Sequence, residues 1–325
     1  MATENRPVVL VTSRSFSSGS RDLEGELTSR GFRVVWGQAT HDLPSLEGVL
    51  EHAVAWIAGT GPVLAEHFAR APRLRVVARY GVGIDSVDLA AASEHGVVVT
   101  NTPGANSDAV ADYALALLLA VLRGITTGDR RVRSSNWRAS RGRDMRTLTV
   151  GVVGLGRVGQ GVCRRLTGFG SRIIVADPYV SDADIARFGA ERSSFEQMAA
   201  RCDAVTLHAP GGKCLVNEDW LSNVCSPLVL VNTARADLVD EAALAAAIAR
   251  GAVVGYGADT LAHEFGQGSS SPLLDNALAD RVVVTPHAAA QTVEAIDAMG
   301  ATVMDDVVAV LEGRPPIHRV LLEAP

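Results

Sequence analysis

Cysteine, aromatic residues and long apolar runs are scarce in this sequence. Phenylalanine, tryptophan and tyrosine together make up 5% of its 325 residues, and the longest apolar stretch, residues 114–122, is too short to cross a bilayer. The cysteines form no CxxC pair and have no zinc-like spacing, so we predict no metal site. We expect the cysteine side chains to be small buried hydrophobic groups in a reducing cytoplasm. We therefore expect a cytoplasmic protein without a membrane partner. The four cysteines are Cys163, Cys202, Cys214 and Cys225.

A large excess of one charge is also absent. The chain carries 30 basic and 36 acidic residues, a formal net charge of −6, and it has no basic tail. Because nucleic-acid binding depends on cationic contacts with phosphates, we expect no nucleic-acid partner. Hydrophobic residues make up 47% of the chain, which is ample for a core, and the length suits two domains.

Short apolar runs alternate with amphipathic segments in the first hundred residues. The runs predict strands, and the segments between them, such as 21–30 and 62–70, predict helices. This alternation is typical of a parallel sheet that is covered on both faces. The predicted strands are residues 8–12, 33–36, 53–58, 74–78 and 97–100.

The same alternation resumes after an apolar helix predicted over 106–122 and a surface segment that extends to residue 146. Six strands are expected in this second region, a number that fits a dinucleotide-binding fold. A long amphipathic segment, 293–311, predicts a closing helix. The six strands are residues 149–153, 172–176, 204–208, 228–232, 253–258 and 282–285.

A glycine motif follows the first strand of the second region. Gly154, Gly156 and Gly159 form G-x-G-x-x-G between an apolar β-branched run and a helix. In that context the first glycine permits a tight turn, the second lets the backbone approach a pyrophosphate, and the third lets helix and strand pack closely. Asp177 ends the next strand and is placed to accept hydrogen bonds from a ribose. Since an acid there repels a 2′-phosphate, the pattern predicts NAD rather than NADP.

Three ionisable residues stand at or beyond the ends of later strands, where open α/β sheets bind ligands. His287 has a reference pKa near working pH and suits proton transfer to or from a hydroxyl. Arg235 can clamp a carboxylate with its planar fork, and Glu264 can orient an imidazole. Each residue alone is more often structural than catalytic, but together they fit a carbonyl–alcohol interconversion by hydride transfer.

The chain resembles the D-isomer-specific 2-hydroxyacid dehydrogenase family over nearly its whole length. The resemblance is strongest to the phosphoglycerate dehydrogenase branch, in the form without a regulatory domain. It rests on five motifs in the family's order: RYGVGIDSVDLAAASEHGVVVTNTPGANSDAVADYALALLLA (79–120), VGVVGLGRVGQGV (150–162) with Asp177, VNTARADLVDEAAL (231–244), GADT (257–260) and VVVTPHAA (282–289).

This resemblance implies an α/β fold of two doubly wound parallel-sheet domains, with a Rossmann NAD domain (105–289) inserted in a flavodoxin-like substrate domain (1–104 with 290–325). It implies a homodimer through the cofactor domains and an Arg–Glu–His catalytic triad. It also implies a substrate carboxylate on the N–H groups of Val82 and Gly83, and Arg79 facing the substrate's distal end, where a phosphate or phosphonate would suit it. The implied triad is Arg235, Glu264 and His287, and the other implied cofactor contacts are Ser107, Arg157, Val158, Pro210, Thr233 and Asp259.

Departures from the family pattern leave alternatives open. ADTLAHEFGQG replaces the usual motif around Glu264, with Phe265 in place of proline, and the loop after Pro210 is shorter than usual. The predicted function is NAD-dependent oxidoreduction at C2 of a D-2-hydroxy acid or its 2-keto partner. The alternatives are an NAD-sensing corepressor-like protein and a cofactor-binding scaffold without turnover. Formate dehydrogenase is disfavoured, since that branch is expected to carry an amide where Glu264 supplies an acid.

Overall fold

A computed structural model describes residues 6–262 and 271–321 of the chain. Backbone contacts group the chain into two compact units. Unit 1 comprises Met1–Asn106 and Ala290–Pro325, and unit 2 comprises Ser107–Ala289.

Unit 1 is built on short strands, most of which are buried and rich in valine. Its elements are β1 (Val8–Val11), α1 (Leu23–Ser29), β2 (Arg33–Trp36), α2 (Leu43–Leu50), β3 (Ala53–Ala58), α3 (Ala65–Ala69), β4 (Val76–Arg79), α4 (Leu89–Glu94), β5 (Val98–Thr100) and α12 (Val293–Leu311). In the described residues the strands form a parallel sheet in the order β2-β1-β3-β4-β5, which is the flavodoxin-like order. α12 packs on β3 and β4, and the Thr292 hydroxyl caps it by accepting a hydrogen bond from Ala295 N–H.

Unit 2 repeats the architecture with a larger sheet. Its elements are α5 (Ser107–Arg123), α6 (Ile125–Arg133), β6 (Thr149–Val153), α7 (Arg157–Phe169), β7 (Arg172–Ala176), α8 (Asp182–Ala186), β8 (Glu191–Arg192), α9 (Phe195–Arg201), β9 (Ala204–Leu207), α10 (Glu218–Ser222), β10 (Leu228–Asn232), α11 (Glu241–Ala249), β11 (Val253–Ala258) and β12 (Val282–Val284). The described strands are all parallel, in the order β12-β11-β10-β9-β6-β7-β8, a Rossmann arrangement that switches direction between β6 and β9. The carboxyl ends of β6, β7, β9 and β10 therefore border a ligand crevice.

The predicted fold class, two doubly wound parallel-sheet domains, is confirmed by these sheets, but the strand count for the second sheet is wrong. The described part of unit 2 contains seven strands rather than six, because Glu191–Arg192 forms an additional strand beside β7. Both of its residues are exposed, and a two-residue polar strand has none of the apolar periodicity that reveals a strand in sequence.

The expectation that all four cysteines are buried is also wrong. Cys163 and Cys202 are buried, and burial raises the pKa of each thiol to about 12. Cys214 and Cys225 are exposed. Cys214 lies between β9 and α10, and Cys225 lies between α10 and β10.

Among the described residues, no single helix combines the length and apolarity needed to cross a membrane. α5 and α6 would pass that test together on length and composition, with a bend of 59° at the break between them.

Candidate active site and cofactor site

The glycine motif lies where β6 ends and α7 begins. Gly154 has a φ of +89°, and a Cβ on it would lie 2.7 Å from the carbonyl oxygen of His208. A Cβ on Gly159 would overlap the carbonyl oxygen of Gly154, so both positions require glycine. A Cβ on Gly156, the N-cap of α7, would meet no atom within 4 Å. The backbone is therefore open at the positive end of the α7 dipole, which suits a pyrophosphate.

The Asp177 carboxylate joins two loops at the end of β7. Its Oδ2 accepts a hydrogen bond of 2.7 Å from Leu155 N–H in the glycine turn. Its Oδ1 accepts one of 2.8 Å from Tyr179 N–H in its own loop. Each carboxylate oxygen can accept a second bond, so the group can also receive ribose hydroxyls.

Replacing Asp177 with alanine should weaken NADH binding and reduce the preference for NADH over NADPH. Hydrogen bonds to a charged group contribute about 1.5–3 kcal/mol each, so we expect the Kd for NADH to rise roughly ten- to hundredfold. The Kd for NADPH should change less, because the repulsion of its 2′-phosphate is also removed. Fluorescence titration with both cofactors measures the ratio of the Kd for NADPH to the Kd for NADH. The control is Asp184→Ala, which removes an exposed acid of α8. An unchanged ratio would remove Asp177 from the ribose site.

Arg235 follows β10 on a turn that a buried asparagine organises. Asn232 is fully buried, and its Nδ2 donates to the carbonyl oxygen of Arg235 at 2.7 Å while its Oδ1 accepts from Ala234 N–H at 3.0 Å. The half-buried Arg235 also donates from Nη1 to the carbonyl oxygen of Ala234 at 2.8 Å. The sequence analysis did not identify Asn232, although a polar residue at the end of the apolar run LVLVN was a usable signal.

His287 lies beyond β12 in a strained backbone conformation. Its φ is +52°, in the left-handed region that non-glycine residues rarely adopt, and its side chain is exposed. Such a conformation costs on the order of 1–3 kcal/mol and is concentrated at functional sites. The turn is closed by a hydrogen bond of 3.0 Å from His287 N–H to the Thr285 carbonyl oxygen.

Asp259, at the end of β11, connects the Arg235 turn with the His287 turn. The carboxylate is buried and accepts from the Thr285 hydroxyl at 2.6 Å and from the N–H groups of Ala288 and Ala289 at 2.8 Å each. Its own N–H donates to the Asn232 carbonyl oxygen at 3.0 Å. Arg235 and His287 are thus carried by a continuous hydrogen-bonded platform along β10, β11 and β12. The cofactor contact predicted for Asp259 stays a prediction beside this positioning role.

Asp259→Asn should destabilise the protein while leaving its volume unchanged. The asparagine amide has only one oxygen. Its NH₂ group would therefore face a buried N–H that now donates a hydrogen bond to the second carboxylate oxygen of Asp259. An unsatisfied buried donor costs about 1–3 kcal/mol, and we expect a loss of that size in the free energy of unfolding. Chemical denaturation measures it, with Asp275→Asn, at an exposed 3₁₀-helix cap, as the matched control. A change equal to that of the control would show that the platform contributes no stability.

Two buried polar atoms lie just beyond the carboxyl ends of β9 and β10. Thr233 Oγ1 and His208 Nδ1 have no hydrogen-bond partner within the part of the chain that the structure describes. The other ring nitrogen of His208, Nε2, lies 2.9 Å from the Thr206 hydroxyl. A buried polar atom without a partner is costly unless a ligand or water supplies one. Together with the open glycine turn and Asp177, these two atoms fit a dinucleotide.

The predicted substrate segment of unit 1 follows β4. Val82 is exposed, and the N–H groups of Val82 and Gly83 take no part in the hydrogen bonds found among the described residues. Asn101 holds the segment by donating from Nδ2 to the Val82 carbonyl oxygen at 2.8 Å. Arg79 is buried, and its Nη1 donates to the Tyr80 carbonyl oxygen at 2.6 Å. Arg79 is therefore not an ordinary surface arginine.

The other predicted cofactor residues lie on several elements of unit 2, and one predicted catalytic residue is not among the residues that the structure describes. Ser107 is the first residue of α5, Arg157 and Val158 begin α7, and Pro210 is exposed beyond β9. Glu264 falls outside the described residues, so its place in the triad stays a prediction.

Two buried histidines should make the stability of the protein decrease in acid. Burial lowers the pKa of His41 to about 4 and that of His208 to about 3. In the unfolded chain both titrate near 6.5, so below that pH the unfolded state binds more protons. Stability should therefore be full above pH 6.5 and fall as the pH decreases towards 4, by up to about 1.4 kcal/mol per pH unit and histidine.

Urea unfolding at pH 7, 6 and 5 measures this slope. His208→Gln should reduce the slope, whereas replacement of the exposed His52 by glutamine should leave it unchanged. Equal slopes in all three proteins would show that buried histidines do not cause the acid sensitivity.

Comparison with known proteins gives a consistent result. The family model described as "D-isomer specific 2-hydroxyacid dehydrogenase, NAD binding domain" matches residues 115–289. D-3-phosphoglycerate dehydrogenase of Mycobacterium tuberculosis is 39% identical over 94% of this chain, and glyoxylate reductase of Korarchaeum cryptofilum is 36% identical over 80% of each protein. The crystal structure of the TT0316 protein of Thermus thermophilus is 34% identical, with a TM-score of 0.86 over 97% of this chain and 100% of that one.

The chain spans 57% of the length of the mycobacterial relative. The match of the NAD-binding domain covers β6 to β12, which include the glycine turn, the acid at the end of β7 and the platform that carries Arg235 and His287. The chain belongs to the D-isomer specific 2-hydroxyacid dehydrogenase family, and its residues 115–289 match the family's NAD-binding domain.

Proposed function

We propose that the protein is an NAD-dependent oxidoreductase that interconverts a D-2-hydroxy acid and its 2-keto acid. The observation that carries this proposal is the platform through Asn232 and Asp259, which joins an arginine turn and a strained histidine turn at one sheet edge. That pair supplies the cation and the proton donor that carbonyl reduction requires. Two of the relatives named above are a dehydrogenase and a reductase, which favours turnover over the corepressor-like alternative.

Each residue has a distinct task in the proposed reaction. NAD, held by the glycine turn and Asp177, would supply or accept the hydride at C2. Arg235 binds the substrate carboxylate and polarises the carbonyl, because its guanidinium stays charged and offers paired donors. His287 donates a proton to the carbonyl oxygen during reduction and removes it during oxidation. Glu264 is the proposed carboxylate that orients the imidazole, and the N–H groups of Val82 and Gly83 are the proposed donors to the substrate carboxylate.

The substrate tail is proposed to be a phosphate or phosphonate that Arg79 recognises. The buried position of this guanidinium supports the assignment, since burial strengthens its attraction for an anion. Arg79→Lys, which preserves the charge but not the fork, should lower the preference for a charged tail. Arg73→Lys, in the exposed loop before β4, is the control.

Oxidation of NADH at 340 nm with a panel of 2-keto acids tests the reaction and the tail separately. The panel contains phosphohydroxypyruvate, phosphonopyruvate, hydroxypyruvate, glyoxylate, pyruvate and a branched-chain acid. We expect the highest kcat/KM with the phosphorylated or phosphonate members. Turnover only of keto acids with uncharged tails would support the proposed reaction but contradict the role of Arg79. NADH binding without turnover of any member would contradict the proposed function.

We further propose a cytoplasmic homodimer formed through unit 2. Exposed apolar side chains on α6 and the loop after it support this interface: Ile125 is 57% exposed, Val132 43% and Trp137 81%. A contact with a second copy would cover them. Light scattering of the wild type and of Trp137→Glu measures the mass; a monomeric wild type would contradict the proposal.

A further inference from the structure

Arg192 lies close to Asp177, the residue predicted to bind the ribose of NAD. It lies in the edge strand β8, where it is paired with Val175 of β7. The strand is too short and polar to contribute to the core. Its arginine nevertheless reaches the segment that joins β7 to α8. This segment, called the 177–182 loop below, begins with Asp177 and ends with Asp182, the first residue of α8.

The guanidinium of Arg192 makes contacts at three points of that loop. Nη1 donates to the carbonyl oxygen of Asp177 at 2.8 Å. Nη2 donates to the carbonyl oxygen of Val180, and Nε donates to the carboxylate of Asp182, which also forms an ion pair with it. The planar fork of arginine can serve three acceptors at once, whereas a lysine ammonium offers a single point charge. Arg192 therefore fastens both ends of the loop to the edge of the sheet.

The same loop supplies one of the two hydrogen bonds that orient the Asp177 carboxylate. Tyr179 N–H donates to Oδ1, and the glycine turn supplies the other bond through Leu155 N–H to Oδ2. If the loop moves, Oδ1 loses its donor and the carboxylate can rotate about its side-chain torsions. The orientation of the Asp177 carboxylate thus depends on Arg192, although Arg192 does not itself bond to that carboxylate.

We propose that Arg192 is a positioning residue for the adenosine end of NAD. It holds the 177–182 loop so that the Asp177 carboxylate is preorganised for the ribose hydroxyls, which strengthens binding by reducing the ordering that the cofactor must otherwise impose. Arg192 acts through Asp177 and not on the reacting atoms. The inference rests on the NAD-binding domain and is independent of the substrate.

Cofactor binding to Arg192→Ala and Arg192→Lys tests this proposal. We expect the Kd for NADH and for ADP-ribose to rise about five- to twentyfold in both variants, because lysine cannot reproduce the three contacts. The Kd for reduced nicotinamide mononucleotide, which lacks the adenosine, should stay within twofold. Arg172→Ala is the matched control, since Arg172 pairs with Glu191 and, among the described residues, has no hydrogen bond or ion pair with the loop.

A double-mutant cycle identifies the route. If Arg192 acts through Asp177, adding Arg192→Ala to Asp177→Ala should change the Kd for NADH by less than twofold. The proposal is overturned if Arg192→Ala binds NADH within twofold of the wild type, if the mononucleotide weakens equally, or if Arg172→Ala has the same effect. It is also overturned if the two substitutions weaken NADH binding additively. Thermal unfolding of each variant shows that the binding changes do not arise from global unfolding.

Discussion

Replacing His287 with asparagine should lower kcat for reduction of the preferred 2-keto acid by about 10²–10⁴-fold, the usual contribution of a positioned general acid. Asparagine tolerates the left-handed backbone better than most residues, so the turn at φ +52° should be retained. The amide cannot transfer the proton that the imidazole supplies. The Kd for NADH should remain within a few fold, because the glycine turn and Asp177 are untouched.

A second substitution at the same position separates proton transfer from backbone strain. His287→Ala removes the imidazole and also disfavours the left-handed conformation, so it should lose both kcat and some thermal stability. If alanine and asparagine lower stability equally, and NADH binding falls with kcat, His287 is structural. If His287→Asn keeps more than a tenth of the wild-type kcat, the proton donor is another group.

Arg235→Gln should lower kcat/KM for the 2-keto acid by about 10²–10³-fold, equivalent to roughly 3–4 kcal/mol of transition-state stabilisation. The amide retains some hydrogen bonding but loses the charge that binds the carboxylate and polarises the carbonyl. Arg235→Lys retains the charge and should lose less, because only the paired geometry is removed. Steady-state kinetics with the preferred keto acid measures both KM and kcat.

The control for Arg235 is Arg250→Gln, a cation at the end of α11 that donates to the Leu221 carbonyl oxygen. It should leave kcat/KM unchanged. A loss below threefold in Arg235→Gln would contradict the assignment of this residue as the carboxylate clamp. A loss shared by Arg250→Gln would show that the effect is one of net charge.

Much of the fold could be predicted because most of its strands are buried on both faces. Runs such as VVLV in β1 and the first four residues of β10, LVLV, are apolar throughout, and the G-x-G-x-x-G motif places the N-cap of α7 at Gly156. The fold class and the family are confirmed on that basis. The polar strand β8 was missed because pairing at a sheet edge requires no apolar pattern.

The site was less predictable than the fold because its organising bonds join residues far apart in sequence. Asp259 binds Ala288 and Ala289 about thirty positions later, and Asn232 fixes the Arg235 turn through its carbonyl oxygen. Motifs identify which residues are present but not which backbone groups they satisfy. Arg192 illustrates the same limit, since its three acceptors become visible only when the loop after β7 is folded.

Deuterium transfer from NADH labelled at C4 tests the proposed reaction most directly. The reaction with the preferred 2-keto acid would be followed by NMR, and the configuration of the product would be determined by chiral chromatography. We expect one deuterium at C2 of a D-2-hydroxy acid. An L-product, a label elsewhere in the product, or no transfer while NADH is bound would contradict the proposed function.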